Sequence, residues 1–344
     1  MIISRTPFRI SFFGGGTDYP TWYSKNGGAV LSTTIDKYCY ISCRYLPPFF
    51  EYKHRIVYSR FEQVNDTTEI MHPAVRATFQ FMHIKEGLEI YHNSDLPIQS
   101  GLGSSSAFTV GLLHALYALK GQMVTKKRLA LEAIHIEQDI IKENVGSQDQ
   151  VAAAFGRLNR IEFATDKNIE VRPITISPER LQEFHGHLML FFSGFSRKAS
   201  QIEDEKIKQL DKKKAELFAM HDMVDKSIQI LNGGGGLTEF GNLLHENWLH
   251  KRKLADKVSN SFIDHVYEIA RKNGAIGGKV LGAGAGGFML FFVKPKDREK
   301  LEKALNFLLH VPFRFDTLGS QIIYYSETGG QWQAPKFLPD VKAE

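Results

Sequence analysis

Hydrophobic positions in the first half of the chain switch between strand-like and helix-like patterns. Runs of β-branched and aromatic residues bounded by Gly, Pro and Asn predict strands at residues 9–13, 29–44, 55–59, 88–92, 158–163 and 169–174. Residues 104–119 are apolar on every helical face and predict a buried helix. Thr125 is a plausible N-cap for a second helix, whose apolar stripe runs to residue 142.

The second half shows the same mixture of elements after an interruption by Pro173 and Pro178. The pattern predicts strands at 188–193, 275–281, 288–293 and 321–325, a long helix ending near residue 231, two further helices, and a helix at 297–309. We find no internal repeat. We therefore predict an α+β protein built from two units, residues 1–180 and 181–344.

Composition and charge exclude several classes of protein. The 344 residues are 43% hydrophobic and 24% charged, which is typical of a globular protein with real cores. The net charge of +5 is spread along the chain, so we expect no nucleic-acid partner. Apolar runs such as Phe288–Val293 are shorter than the roughly 18 residues of a membrane span, so we expect no membrane partner. The first residues lack the pattern of a secretory signal, and we expect a cytoplasmic protein.

The cysteines and histidines do not form a metal-binding pattern. Cys39 and Cys43 lie in a strand-like stretch without partners at zinc-ligand spacing, so we expect reduced thiols in or near a core. His245 and His250 are five residues apart, one more than the spacing that places two imidazoles on one helical face.

The most informative stretch is a glycine and serine turn that leads into the buried helix. It reads Pro97, then Gly101, Leu102, Gly103, Ser104, Ser105, Ser106. A glycine turn before a helix N-terminus presents unpaired N–H groups at the positive end of the helix dipole, where a phosphate binds. The serine hydroxyls add ligands for phosphate or magnesium. The alternative is a run that only caps the helix, for which one serine would suffice.

Two other glycine clusters have a less specific meaning. Residues 14–16 follow a strand and allow close approach of a chain or ligand, or simply form a tight turn, and Asp18 behind them suits sugar hydroxyls. Residues 282–287 match Gly-x-Gly-x-x-Gly, but a strand follows them where a dinucleotide fold needs a helix. These glycines either let the backbone approach another group in a cleft or form the turn of a hairpin. A Walker motif is absent from the sequence.

Two carboxylates stand in apolar surroundings. Glu137 lies within the apolar stripe of the helix that follows Thr125, where an inward carboxylate is costly unless it is paired with a cation or metal. Asp149 lies near the start of a buried helix at residues 149–155, where its alternative role is to stabilise the helix dipole.

Together these motifs resemble the galactokinase, homoserine kinase, mevalonate kinase and phosphomevalonate kinase (GHMP) superfamily. Its three motifs occur in order across almost the whole chain, and the central one, from Pro97 to Ala107, is the most specific. Residues 5–11, 14–18, 192–200 and 277–284 look most like the heptose 7-phosphate kinase branch, with the fucose kinase branch close by.

The resemblance implies a two-domain kinase with its active site in the cleft between the domains, using ATP and Mg²⁺. It implies Asp149 and Arg9 as catalytic residues, with Ser105 and Glu137 holding magnesium. The residues implied to bind ATP are Pro97, Gly101, Leu102, Gly103, Ser104, Ser105 and Ser106. The residues implied or suggested to bind the sugar are Gly15, Gly16, Thr17, Asp18, Arg197, Lys198, Gly284 and Gly286.

One departure from the family pattern bears on the substrate. Where galactokinase-like members have Glu-His before Thr-Asp, this chain has Gly15 and Gly16, which opens room for a larger sugar. A sugar that already carries a phosphate needs fixed positive charge, for which Arg197 and Lys198 are the candidates, although they could be an exposed helix start. The resemblance therefore implies phosphorylation of D-glycero-D-manno-heptose 7-phosphate at C1. The alternatives are a fucose kinase or other C1 sugar kinase, and a catalytically silent ligand sensor.

Overall fold

A long antiparallel pair of strands organises the larger of the two sheets in the computed structural model, which describes residues 1–97, 100–194, 207 and 209–326. The strands are β1 (Ile2–Phe13), β2 (Gly28–Tyr45), β3 (His54–Val57), β4 (Phe61–Val64), β5 (Leu88–Ser94), β6 (Leu158–Phe163), β7 (Ile169–Pro173), β8 (Leu188–Phe192), β9 (Ala275–Val280), β10 (Phe288–Val293), β11 (Leu309–His310), β12 (Phe315–Asp316) and β13 (Gln321–Tyr325). The larger sheet has the order β13-β1-β2-β5-β3-β4, with β6, β7 and β12 joined through β2. The smaller sheet has the order β11-β8-β10-β9.

Helices cover the sheets and supply the ends that carry the site. They are α1 (Pro20–Asn26), α2 (Pro73–Phe81), α3 (Ser104–Leu119), α4 (Lys126–His135), α5 (Gln148–Phe155), α6 (Pro178–Gly186), α7 (Lys214–Asn232), α8 (Thr238–Arg252), α9 (Ser261–Lys272) and α10 (Arg298–Ala304). The predicted α+β class is confirmed, and the predicted buried helix is α3, whose apolar side chains pack on β1 and β2. In the described ranges, no helix combines the length and the apolar character needed to cross a membrane.

The helix predicted from Thr125 to residue 142 changes its form part-way. Thr125 caps it as predicted, because its side chain accepts a hydrogen bond from the Arg128 N–H. The α-helix ends at His135, and Ile136–Ile140 form a turn of π-helix closed by a bond from the Ile141 N–H to the Ile136 carbonyl. A π turn widens the helix locally and is frequent at functional sites. It contains Glu137.

The last strand forms as predicted, but in the other sheet. Gln321–Tyr325 pairs with β1, and β12 pairs with β2, so the chain returns from the second half to the larger sheet. This corrects the assignment of that strand to the second unit. Apolar alternation predicts that a segment is a strand, but the partner depends on which edge lies within reach. The boundary near residue 180 stays a prediction.

The interior joins both sheets through aromatic side chains. Phe184 of α6 lies 4.7–6.3 Å, between ring centroids, from Phe12, Phe240, Phe292 and Phe315, which belong to β1, α8, β10 and β12. It is fully buried. Cys39 and Cys43 are buried free thiols of β2, as predicted.

Truncation of Phe184 tests this junction. We expect Phe184→Ala to lower the free energy of unfolding by about 3–5 kcal/mol, since a buried Phe leaves a cavity. Phe307→Ala is the control, because Phe307 is 52% exposed and its loss should change stability by less than about 0.5 kcal/mol. Urea unfolding of both variants measures the difference, and similar values for the two would contradict this role of Phe184.

Candidate active site

Arg9 lies at the centre of the site because its guanidinium joins two separate segments. Its Nε and Nη2 atoms donate to the two carboxylate oxygens of Asp149 at 2.7 and 2.6 Å. Its Nη1 donates to the Gly101 carbonyl at 2.7 Å, and its backbone N–H donates to the Leu102 carbonyl at 3.0 Å. The Arg9 side chain is 5% exposed and that of Asp149 is 24% exposed. Arg9 therefore holds the carboxylate beside the glycine turn and leaves it open to a substrate.

The glycine turn is shaped for an anion. Gly101 and Gly103 have φ of 84° and 75°, the left-handed region that favours glycine. Gly103 is the N-cap of α3, so no side chain caps the helix at that position. This favours the phosphate-binding interpretation over the capping one, because the helix N-terminus combines N–H groups with a positive dipole end. Pro97 lies at the entry of the turn.

The third glycine cluster packs directly against this turn. A Cβ on Gly282 would lie 2.4 Å from the Gly101 Cα, and one on Gly287 would lie 2.3 Å from the Ser100 carbonyl oxygen. The cluster therefore brings backbone against backbone at the glycine turn. A Cβ on Gly284 would lie 2.5 Å from the Val258 carbonyl oxygen, so Gly284 has a packing role. The substrate contacts expected for Gly284 and Gly286 stay predictions.

Two buried lysines, for which the sequence predicted no role, hold the glycine clusters through hydrogen bonds to backbone carbonyls. The Lys251 Nζ donates to the Val280 and Gly282 carbonyls, both at 2.7 Å. The Lys279 Nζ donates to the Phe12 carbonyl at 2.8 Å, next to the first glycine cluster. A lysine inside the apolar strand β9 was a signal that could have identified Lys279.

Glu137 points inward as predicted. It is 1% exposed, and its Oε2 accepts from Ser106 Oγ at 2.9 Å and Gln150 Nε2 at 2.6 Å. Its Oε1 makes no hydrogen bond of normal geometry, although the Thr109 hydroxyl lies close enough to act as a further donor to the carboxylate. Burial raises the pKa of Glu137 to about 7. The serine that contacts Glu137 is Ser106, whereas Ser105 is exposed on the first turn of α3. The magnesium contacts expected for Ser105 and Glu137 stay predictions.

The first glycine cluster lies beside Asp149. Asp18 is 2% exposed, and its Oδ1 accepts from the Gly16 N–H at 2.9 Å. Burial, and then the nearby charge of Asp149, raise the pKa of Asp18. Thr17 is fully buried, and its hydroxyl donates to the Gly14 and Ala29 carbonyls, so its side chain shapes the turn. The sugar contact expected for Thr17 stays a prediction. Arg197 and Lys198 lie outside the described residues.

Comparison with known proteins decides the family. The model for the GHMP kinases N terminal domain matches residues 69–157, and the model for the GHMP kinases C terminal domain matches residues 224–310. A D-glycero-alpha-D-manno-heptose 7-phosphate kinase of Campylobacter jejuni is 32% identical over 320 residues, which cover 88% of this chain and 93% of that one. The chain belongs to the GHMP kinase family.

Two further comparisons agree with this assignment. A galactokinase of Thermotoga maritima is 25% identical over 333 residues, which cover 88% of this chain and 92% of the galactokinase. The crystal structure of a D-glycero-D-manno-heptose 1-phosphate kinase from Bacteroides thetaiotaomicron shares the fold, with a TM-score of 0.77 at 22% identity over 95% of this chain and 100% of that one. This GHMP kinase is a phosphotransferase that acts on an alcohol group, and its relatives place it among the sugar kinases.

The raised pKa of Glu137 gives a pH-dependent prediction. The pKa of Glu137 is 4.5 in the unfolded chain and about 7 in the folded protein. Between these two pH values the folded state binds more protons than the unfolded state, so rising pH destabilises the fold. Glu137→Gln removes the buried charge, so without divalent cations it should be more stable than the native chain at pH 8, by roughly 2–4 kcal/mol. The gain should shrink towards pH 5 and vanish below about pH 4.5.

Urea unfolding in EDTA from pH 4 to pH 8 measures this effect. Glu132→Gln is the control, because Glu132 is a partly buried glutamate of the preceding helix with Arg128 as partner. A stability difference for Glu137→Gln that does not depend on pH would contradict a carboxylate whose charged form is destabilised by burial.

Proposed function

We propose that this sugar kinase transfers the γ-phosphoryl group of ATP to the C1 hydroxyl of D-glycero-D-manno-heptose 7-phosphate, with Mg²⁺, and that the 1,7-bisphosphate serves nucleotide-heptose and surface polysaccharide synthesis. The observation that carries the proposal is the contact of Arg9 with both Asp149 and the Gly101 carbonyl. It places a carboxylate beside the turn that would hold the phosphates. The acceptor is inferred from the Campylobacter relative.

The chemistry follows from these positions. The sugar hydroxyl would approach Asp149, whose oxygens keep lone pairs beyond those used by Arg9 and can accept the hydroxyl proton. The sugar oxygen bonds to the γ-phosphorus while the bond to the β–γ bridging oxygen breaks, which releases ADP. Arg9 and the N-terminus of α3 stabilise the charge on the transferring group. Positioning and charge stabilisation are the main demands of phosphoryl transfer.

The residues around Glu137 fit a magnesium ion. Glu137 presents a buried carboxylate whose Oε1 makes no hydrogen bond of normal geometry, next to the Ser106 hydroxyl in the first turn of α3. Oxygen ligands suit Mg²⁺, which proteins commonly hold through one or two carboxylates together with substrate phosphates. Within the described ranges there is no cluster of three metal-type side chains, so most ligands would come from ATP and water. Glu137, Ser106 and, from the resemblance, Ser105 would hold the ion, which would neutralise phosphate charge.

The acceptor is proposed to lie at the first glycine cluster. Asp18 lies near Asp149, and Gly15 replaces an acidic side chain of galactokinase-like members. The space so created suits a seven-carbon sugar. Arg197 and Lys198 remain our candidates for binding its phosphate. The alternatives are a fucose kinase or another C1 sugar kinase, and a silent ligand sensor, against which the intact ion pair of Arg9 and Asp149 argues.

Removal of the Asp149 carboxylate tests the mechanism. We expect Asp149→Asn to lower kcat by about 100-fold or more, because the amide cannot accept the hydroxyl proton. The affinity for ATP should change little. Asp139→Asn is the control, since Asp139 is 67% exposed on the π turn. ADP release and nucleotide titration measure the two quantities, and a near-normal kcat for Asp149→Asn would remove it from the catalytic step.

A panel of acceptors tests the substrate. With Mg-ATP we expect ADP release on D-glycero-D-manno-heptose 7-phosphate and much slower release on fucose, galactose and mannose, because only the heptose fills the enlarged site and carries a phosphate. Phosphorus NMR should show a second phosphate on C1. Turnover restricted to unphosphorylated sugars would reject the proposed acceptor, and nucleotide binding without turnover on any sugar would support the sensor.

A further inference from the structure

Gly15 differs from its neighbours because the space where its side chain would lie is open. A Cβ on Gly14 would lie 1.9 Å from the Ala29 carbonyl oxygen, and one on Gly16 would lie 2.9 Å from a methyl group of Leu217. A Cβ on Gly15 would meet only Gln148 Nε2 at 3.9 Å and Ser11 Oγ at 4.0 Å, which are ordinary contacts. The φ of Gly15 lies outside the left-handed region, so the backbone there does not require glycine.

The two side chains that face this space carry buried polar atoms without partners. Ser11 Oγ and Gln148 Oε1 are both buried and have no hydrogen-bond partner. Ser11 Oγ itself faces the space, and Gln148 Oε1 belongs to the same amide as the Nε2 atom that faces it. A buried polar atom without a partner costs about 1–3 kcal/mol, so two of them next to one open space favour a ligand there. A hydroxylated ligand would satisfy both.

The space adjoins the reacting groups. Gln148 directly precedes Asp149 in α5, and its backbone N–H donates to Asp18 Oδ2 at 3.4 Å. Ser11 lies two residues after Arg9 on β1. In a strand, residues two apart share a face, so Ser11 and Arg9 point to the same side of the sheet. A molecule bound between Ser11 and Gln148 would therefore lie beside the ion pair of Arg9 and Asp149.

We propose that Ser11 and Gln148 form a polar subsite for the acceptor sugar, and that the absence of a side chain at Gly15 makes room for it. A serine hydroxyl and a glutamine amide each donate and accept, as sugar hydroxyls do, so the pair can bind a hydroxyl-bearing carbon next to the one that reacts. The residues are specificity-determining, because a sugar without that hydroxyl would leave both atoms unpaired. This inference rests on the proposed function.

The test uses Gln148→Met, which removes the amide at similar size, and Gly15→Ala, which fills the space with one methyl group. We expect the KM for the sugar to rise about tenfold or more in each variant, since the loss of a paired polar group or of room weakens sugar binding. The KM for ATP should stay within about twofold, because the phosphate-binding turn is untouched. Gly15→Ala should keep the native melting temperature, since its methyl group meets only contacts of 3.9 Å or more.

Gln80→Met is the matched control, because Gln80 lies exposed on α2 and the substitution is the same. The acceptor is D-glycero-D-manno-heptose 7-phosphate, or the panel sugar that the native enzyme phosphorylates best. A sugar KM within about twofold of native in both Gln148→Met and Gly15→Ala would overturn the subsite, as would an equal rise of the KM for ATP. The native enzyme tests the proposed function separately: if it phosphorylates no sugar, that proposal fails and the subsite fails with it, whereas an active enzyme with unaffected variants removes only the subsite.

Discussion

The site depends on one buried charge. Arg9 is almost completely enclosed, and its guanidinium is compensated by the Asp149 carboxylate and the Gly101 carbonyl. Without the carboxylate, the enclosed guanidinium would keep only the Gly101 carbonyl as its acceptor, which costs stability. Because β1 lies inside the larger sheet, between β13 and β2, the arginine has a rigid support. The pair thus connects the sheet, the start of α5 and the glycine turn before α3.

The second constraint is close contact between two segments of the backbone at that turn. Gly282 and Gly287 lie where a Cβ would overlap Gly101 and Ser100, so the turn between β9 and β10 supports the glycine turn before α3 directly. Lys251 holds this support through two carbonyls. Any side chain at these glycines would push the two turns apart. The smaller sheet therefore contributes to the site through its shape and supplies no reacting group among the residues that the structure describes.

Buried acidic groups show that the site is maintained at a cost in stability. Burial raises the pKa of Glu137, and burial together with the charge of Asp149 raises the pKa of Asp18. Groups with perturbed pKa values cluster at functional sites, because burial and neighbouring charges there adjust pKa values to the chemistry. The two groups have different proposed ligands. Glu137 would hold the metal, and Asp18 would bind the sugar that reacts at Asp149. Ser11 and Gln148 likewise each keep a buried polar atom without a hydrogen-bond partner in the protein.

The sequence by itself determined many of the elements, the family and most of the proposed catalytic set. Helical and strand periodicities located α3, β6, β10 and β13, because local burial patterns follow the geometry of each element. Arg9, Asp149 and Glu137 were identifiable because charged residues stand out in motifs or in apolar surroundings. The polar Gln150, next to an apolar run, was a weaker signal that we did not use.

Only the tertiary structure decided which segments meet. It joined β13 to β1, placed Ser106 rather than Ser105 against Glu137, turned Thr17 inward, and brought Ser11 and Gln148 to the space beside Gly15. The physical reason is that periodicity reports which face of an element is buried but not what covers it. Contacts between residues more than a hundred positions apart depend on how whole elements pack, and no local pattern contains that information.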